Sequence, residues 1–511
     1  TSNNRLYISN GSGWYNVAVI NATPNLTISP SGAVTLATDG TTPTVITLVG
    51  ADSDNANASL TYSVESDGSF ADIATLSQDS SVFTITPLAE GSATPGSSTL
   101  TFKVSDGISF GSGTTTFSLA FAPDWATASV TESKVTASDA QNYDNFGTCA
   151  ISSDGAYAIV GAEGEDTAAS SAGAAYIYVR SGSTWTQQAR ITGSYMAGNG
   201  YFGQYVDMNS DGTYAIVGAA GPGDGSAYIF TRSGSTWTQQ AKLNPAAGGS
   251  YFGYSVSMNS DATYVTIGNP STGAGAVYVF TRSGSTWTEQ ATLTASPALN
   301  AGDSFGMSIM INNDGTYIIA GSGFEDTGKG AAYIFTRSGS TWTQQARIQS
   351  TDIQNSDNFG YAGTAINEDA TTIAVGASGE DGAGDAEPNS GAIYIFTRSG
   401  STWTEQAKIK ESPAVNYAQL GWQPVLSNDG NILVFGVWTT SSMTGKALVY
   451  NRSGSTWSLI KTLTASDGQT NARFGWKSDM SETGKYIMIA AAYDNNVGGD
   501  QQGSAYIYEA G

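Results

Sequence analysis

Short runs of carboxylates are the side chains of this sequence best placed to do chemistry. Glu163, Glu165 and Asp166, then Glu325 and Asp326, then Glu380 and Asp381, recur at comparable places along the chain. Such groups can form an acidic band that draws cations or basic partners, or they can be solvated loop charges. Two of them can also flank a scissile glycosidic bond as an acid pair. The chain contains no histidine, so the commonest general base, proton shuttle and transition-metal ligand is missing. Its one cysteine, Cys149, permits neither an internal disulfide nor a cysteine metal cluster, and reads as a small buried hydrophobe. The run Gly-Ile-Ser-Phe-Gly at 107–111 has the spacing of a nucleophile elbow, but without histidine the usual triad cannot be built around it.

Aromatic faces are the second resource. Gly-Ser-Thr-Trp recurs with its tryptophan at Trp185, Trp237, Trp287, Trp342, Trp403 and Trp457, spaced 52, 50, 55, 61 and 54 residues apart. Such faces can stack on sugar rings, but regular placement at the start of an outer strand argues for packing between repeats. Trp422, Trp438, Trp476, Tyr195 and Tyr417 break the pattern and are the better contact residues. A catalytic or binding site breaks symmetry in the same way, with residues unique to one or two repeats.

What must position these groups is the repeat itself. Phe-Gly recurs at Phe146, Phe202, Phe252, Phe305, Phe359 and Phe474, with Leu420-Gly421 filling the one gap, which makes seven units. Each unit contains a run such as Tyr214-Ala215-Ile216-Val217, a second such as Tyr228-Ile229-Phe230, an Arg-Ser-Gly turn, and a strand from the repeated tryptophan, as in Trp237 to Leu243. Alternating apolar positions, β-branched and aromatic residues and Asp-Gly or Ser-Gly turns are strand and hairpin signals. Four strands in each of seven units is the sequence form of a seven-bladed β-propeller over 124–511. The chain stops after Ala505-Tyr506-Ile507-Tyr508, one outer strand short, and Trp125 to Val135 is expected to supply that strand and close the ring.

Residues 23–122 lack the repeat and carry turn-separated strands, including Thr44 to Val49, Leu60 to Val64, Val82 to Thr86, Leu100 to Val104 and Thr115 to Phe121, the pattern of an Ig-like β-sandwich. Residues 1–22 read as a short hairpin or joint, Leu6-Tyr7-Ile8 turning into Trp14 to Ile20. The fold class is therefore all-β. A chain that is 40% hydrophobic, 11% aromatic and only 12% charged is folded rather than disordered. Lys+Arg 20 against Asp+Glu 43 gives a net charge of −23, which repels phosphate backbones and anionic membranes and speaks against nucleic acid. No apolar run is long enough to insert in a membrane. The first residue is Thr1 rather than Met, so a leader or a larger N-terminal part is expected to have been lost.

Phe-Gly, a polar Asp turn, Val217-Gly218-Ala219 and Ala227-Tyr228-Ile229-Phe230 together resemble the FG-GAP repeat of integrin-alpha-type propellers. That resemblance implies calcium held by an Asp-x-Asp-x-Asp-Gly loop, since a hard cation needs six or more converging oxygens. The second repeat comes closest, with Asp207, Asn209, Asp211 and Gly212. In other repeats Ala150, Ser257, Met310, Ala365 and Val425 replace the first ligand, so Asp154, Asp211, Asp261, Asp314, Asp369 and Asp429 read chiefly as turn residues. Gly-Ser-Thr-Trp is similar to the second half of the Asp-box of sialidase-like propellers, but Arg180, Arg232, Arg282, Arg337, Arg398 or Arg452 stands at the Asp position. Gly50-Ala51-Asp52-Ser53-Asp54, Leu60 to Val64 and Val104-Ser105-Asp106-Gly107 resemble cadherin-like and Ig-like modules, which implies calcium at Asp52, Asp54 and Asp106.

Leu6-Tyr7-Ile8, Gly11 to Asn16 and Val82 to Pro87 look like the N-terminal modules of virion structural proteins of marine tailed phages. That likeness implies a noncatalytic protein on the virion exterior, a capsid decoration or a tail or fibre appendage. Its N-terminal module would join other virion or surface proteins, and its propeller would face a host-surface glycan or protein. The alternatives are a calcium-dependent cell-surface adhesin and, third, a propeller glycoside hydrolase.

Overall fold

The computed structural model describes the chain except residues 1–4, 10, 11, 13, 19–21, 37–42, 54–58, 67, 89–95, 120–122, 124, 128, 195–197, 222, 224, 246–248, 383–385, 496–498 and 511. Two units are present, Thr1–Ala122 and Pro123–Gly511. In the first, Arg5–Ser9 pairs antiparallel with Trp14–Ala18. Two four-stranded sheets follow. One runs in the order Val34–Thr35, Phe110–Leu119, Gly96–Ser105, Thr61–Ser66, and the other Asn25–Ser29, Thr44–Ala51, Val82–Pro87, Ala74–Asp79. Alternation sets their inner faces: Ile46, Leu48, Phe83 and Ile85 of one sheet share a core with Leu100, Phe102 and Phe117 of the other.

The second unit contains seven four-stranded antiparallel sheets among the described residues. The first consists of Phe146–Ile151, Tyr157–Ala162, Ala174–Ser181 and Thr184–Ile191. The next five repeat this order, beginning at Phe202–Met208, Ser255–Met258, Phe305–Ile311, Phe359–Ile366 and Trp422–Leu426. The seventh is assembled from both ends of the unit. Phe474–Met480, Tyr486–Ala491 and Ser504–Ala510 are consecutive, and their outer neighbour is Val130–Val135, paired from Val130↔Ala510 to Val135↔Ala505. Before that strand, Trp125 is fully buried and its Nε1 donates to the Gly484 carbonyl at 2.8 Å.

Each sheet packs on the next, because the second strand of every repeat is buried on both faces and largely apolar. Ile159 and Ile177 of the first sheet join Val217 and Tyr228 of the second, and Val160 and Tyr176 of the first join Met488 and Ile507 of the seventh. The repeated motifs serve these contacts. Phe202 stacks edge-on against Tyr228 at 5.4 Å, and Gly173 bridges Phe202 in parallel. Leu420 takes the phenylalanine's place against Gly391, and Gly503 against Phe146 makes the same contact between the seventh and first sheets. Each repeated tryptophan reaches back one sheet, as where Trp237 Nε1 donates to Gln188 Oε1 at 3.0 Å and Trp287 Nε1 to Gln240 Oε1 at 2.8 Å. The arginine of each Arg-Ser-Gly turn does likewise: Arg232 lies 4.0 Å over the Tyr157 ring and Arg180, in the first sheet, 4.6 Å over Tyr486 of the seventh. Its Nε meanwhile fastens its own sheet's turn, Arg232 donating to the Gly212 carbonyl at 2.7 Å.

Sheet separation is set by glycine. A Cβ at Gly268 would lie 2.1 Å from the Gly306 carbonyl oxygen of the next sheet, and at Gly436 1.7 Å from that of Gly475. Backbone cannot yield as a flexible side chain can, so Gly268→Ala is expected to destabilise the unit by about 1–3 kcal/mol. Urea denaturation would measure it, and an unchanged midpoint would show that the sheets do not approach this closely.

Candidate functional site

One residue from each of the seven first strands faces a common central space: Thr148, Tyr205, Ser255, Ser308, Thr364, Gln423 and Lys477. At Thr148, Ser255 and Ser308 the hydroxyl ties neighbouring sheets together, whereas the buried Thr364 hydroxyl has no hydrogen-bond partner. Thr148 Oγ1 donates to the Gly203 carbonyl at 2.6 Å, Ser255 Oγ to Gly306 at 2.7 Å and Ser308 Oγ to Gly360 at 2.8 Å. Tyr205, Gln423 and Lys477 replace that small hydroxyl with long side chains. They border a cavity of about 140 Å³ that Glu163, Gln204, Tyr254, Tyr361, Trp422 and Trp476 also line.

Lys477 is the unusual member. It is only 6% exposed, its Nζ has no hydrogen-bond partner, and it lies 4.1 Å over the Tyr205 ring. Burial brings its ammonium down to about 7, against a weaker upward pull from Cys149 and Glu163. The same burial raises the Glu163 carboxyl, which Lys477 and a hydrogen bond from the Gln204 side chain partly offset. Tyr205 and Tyr254 are hydrogen-bonded to each other and both hydroxyls are raised, chiefly by burial. Burial likewise pushes the Cys149 thiol far up, so it is inert as a nucleophile. Trp422 stacks on Trp476 at 5.2 Å and meets Trp438 edge-on at 5.8 Å. Arg473 caps the group, 4.9 Å over Trp438 and 3.9 Å over Tyr493.

Three of the five tryptophan and tyrosine residues that break the repeat are thus brought together, namely Trp422, Trp438 and Trp476. Tyr417 is instead 62% exposed, and Tyr195 lies outside the described residues. Sequence reasoning missed Lys477, Tyr205 and Glu163 as partners. The signal was available in the position three residues after the phenylalanine, which is Ser at Ser255 and Ser308 but Tyr205 and Lys477 in the second and seventh repeats.

Two residues further along those same strands stand Asp207 and Asp479. Asp207 accepts from Met208 N at 2.8 Å and from Met258 N of the third sheet at 2.7 Å, and Asp479 accepts from Ile151 N of the first sheet at 2.7 Å. Enclosure by protein raises both carboxyls to about 7, Asp479 also through the charge of Asp207. A folded-state value above the ordinary carboxylate range favours the neutral form, so this contribution to stability is full below about pH 4 and lost as pH rises through about 7. Lys477 acts in the opposite sense, losing stability as pH falls through about 7. The double variant Asp207→Asn, Asp479→Asn keeps an oxygen acceptor at each place and leaves Lys477 alone. Between pH 5 and 8 it should lose less stability than the parent, by on the order of 2 kcal/mol per carboxyl. Parallel thermal-melting profiles for the two proteins would contradict this.

The other residues anticipated as cation ligands are placed as follows. Asn209 Nδ2 donates to Asp211 Oδ1 at 2.9 Å, and that oxygen also accepts from Thr213 N at 2.9 Å, so the pair closes its own turn while Asp207 reaches to the next sheet. Asp154, Asp261, Asp314, Asp369 and Asp429 make the same bond to the amide two residues on, at 2.8–3.1 Å. Asp106 Oδ1 accepts from Ile108 N and Ser109 N at 2.7 and 2.8 Å, Asp52 is half-buried, and Asp54 lies outside the described residues. Among the described residues no group of three or more Cys, Asp or Glu is placed to hold a metal ion.

The recurring carboxylate runs are not solvated as a set. Glu165 is buried and paired with Arg190 at 2.8 Å. Glu325 pairs with Arg347 at 2.8 Å and accepts from Tyr333 Oη at 2.6 Å, while Glu380 holds both Lys408 at 2.7 Å and Lys410 at 2.8 Å. In the seventh sheet Asp494 plays this part with Lys134 of the closing strand, at 2.8 Å. Each cation comes from its sheet's outer strand or, for Lys410, from the residue just after it, which a reading of the loops alone could not reveal. Asp166 and Asp326 remain exposed.

The FG-GAP repeat pattern matches residues 130–178, 185–230, 237–280, 287–335, 342–396 and 457–508. No curated protein is significantly similar in sequence. Solved structures that resemble the chain include Kuenenia stuttgartiensis hydrazine synthase (TM-score 0.48, 11% identity, 69% of this chain and 94% of that one). A protein of Lactobacillus plantarum (0.45, 13%, 72% and 93%) and the periplasmic gluconolactonase of Pseudomonas aeruginosa (0.43, 13%, 63% and 86%) are similar at the same level. Likenesses this distant bring no activity to this chain.

Proposed function

Because the chain belongs to the FG-GAP repeat family, we propose that its seven four-stranded sheets are the blades of one closed seven-bladed β-propeller and that the protein is a noncatalytic structural component of a virion exterior. In this reading residues 23–122 are an Ig- or cadherin-like attachment module, and the propeller presents a broad acidic surface to a host glycan or protein. One observation carries the noncatalytic part. The repeated side chains that look chemical in the sequence, the arginines, tryptophans and buried acids, are spent on neighbouring sheets and on their own outer strands. The virion part is supported by the likeness of Leu6-Tyr7-Ile8, Gly11 to Asn16 and Val82 to Pro87 to phage modules.

Mass spectrometry of purified particles tests the assignment. The chain is expected at a fixed copy number per particle. Its absence from particles would overturn the virion role, and turnover of a lactone or glycan panel, lost on neutralising a single carboxylate, would overturn the noncatalytic one.

A further inference from the structure

The central cavity gathers unpaired polar atoms of complementary kinds. Lys477 Nζ and Trp422 Nε1 are buried donors without a partner, and Gln204 Oε1 and Asn145 Oδ1 are buried acceptors without one. All four residues line the same space of about 140 Å³. Leaving such a group unsatisfied costs about 1–3 kcal/mol, and more for a charged one. Four around one cavity therefore point to an occupant that bonds to them. Their origin supports the same conclusion, since they converge from the second, sixth and seventh sheets and from the residue just before the first, and Gln204 and Lys477 stand where no other repeat carries the same side chain.

The chemistry of the walls selects the occupant. The strongest donor is an ammonium, and the nearby carboxyl of Glu163 is already engaged by the Gln204 side chain. A second cation, Arg473, borders the adjoining groove, which shares Tyr493 with the cavity. Tyr254, Tyr361 and Trp476 supply flat aromatic surface. We infer that this cavity binds a small carboxylate-bearing molecule, with Lys477 and Trp422 donating to its oxygens and Gln204 and Asn145 accepting from its hydroxyl or N–H groups. A carboxylate supplies the acceptors that the two donors lack, and desolvation by the aromatic walls strengthens the charged bond. A few placed polar groups converging between aromatic walls are a usual form of small-molecule site.

The test uses the full chain, with tryptophan fluorescence and titration calorimetry as readouts. The probes are benzoate and glucuronate, each against its uncharged counterpart, benzyl alcohol and glucose. A short peptide bearing one glutamate side chain forms a further arm. At least one carboxylate should bind saturably, at least tenfold tighter than its neutral counterpart. Lys477→Met should weaken it at least tenfold without lowering the melting temperature, since an apolar chain of similar length replaces a buried amine. Trp422→Phe, which keeps the aromatic ring and loses the donor, should weaken it severalfold. Tighter binding of the peptide than of the free acids would identify the source of the carboxylate as a partner chain. Failure of every carboxylate to bind, equal affinity for the neutral probes, or unchanged affinity in both variants would overturn the inference.

Discussion

Trp125→Ala should destabilise the second unit by about 3–5 kcal/mol, the range for removing a fully buried tryptophan. The residue is 0% exposed and shares a core with Val434, Ile489 and Tyr508, which belong to the sixth and seventh sheets. Its indole N–H is bonded to the Gly484 carbonyl at 2.8 Å, so truncation also removes a buried donor from a buried acceptor. The position matters more than the size. Trp125 sits five residues before the strand that completes the seventh sheet, and the bonded partner is 359 residues away in sequence. Its loss should therefore loosen Val130–Val135 as well as lower the melting temperature. Chemical denaturation of the parent and variant measures the first effect. A loss below 1 kcal/mol would mean that the segment is not packed where it is described.

Glu380→Ala is the second large expected effect, at about 3 kcal/mol. Breaking a buried ion pair by deleting one partner leaves the other charge uncompensated and typically costs 3–5 kcal/mol. The lower end applies because Lys408 and Lys410 stay 25% and 22% exposed and keep Asp352 and Glu387 as partners. Glu380→Gln, which preserves an oxygen acceptor, should lose less than Glu380→Ala. Equal and small losses for both would show that the carboxylate is solvated rather than part of the sheet.

These two residues mark the difference between what could be read from the chain and what could not. Four strands per repeat and the FG-GAP pattern were legible because each repeat must make the same contacts to its neighbours, so the equivalents of Phe202, Arg232 and Trp237 each return in six of the seven units. The strand beginning near Val130 was legible through a missing element at the far end. The buried acids were misjudged for the reverse reason. Glu165, Glu325 and Glu380 occur in connections that look solvent-exposed, and only the pairing of outer strands brings Arg190, Arg347 and Lys408 to them. The central cavity was the least legible part. Lys477, Tyr205 and Trp422 are far apart in sequence and meet because seven first strands face one space. For Lys477 and Tyr205 the departure from the serine at Ser255 and Ser308 was the one trace left in the sequence. Trp422, Trp438 and Trp476 were noticed because each interrupts a pattern, which locates a site without saying what it binds.

The proposed seven-bladed ring depends on the pairing of Val130–Val135 with Ser504–Ala510. Native-state hydrogen exchange of the intact chain tests it most directly, since a laddered strand opens only with the sheet it belongs to. Amides of both segments should show slow exchange of matching protection, comparable to that of Tyr486–Ala491 beside them. Rapid exchange across 130–135 with the rest of the unit still protected would mean that the ring is not closed by this strand, and the proposed seven-bladed architecture would fall with it.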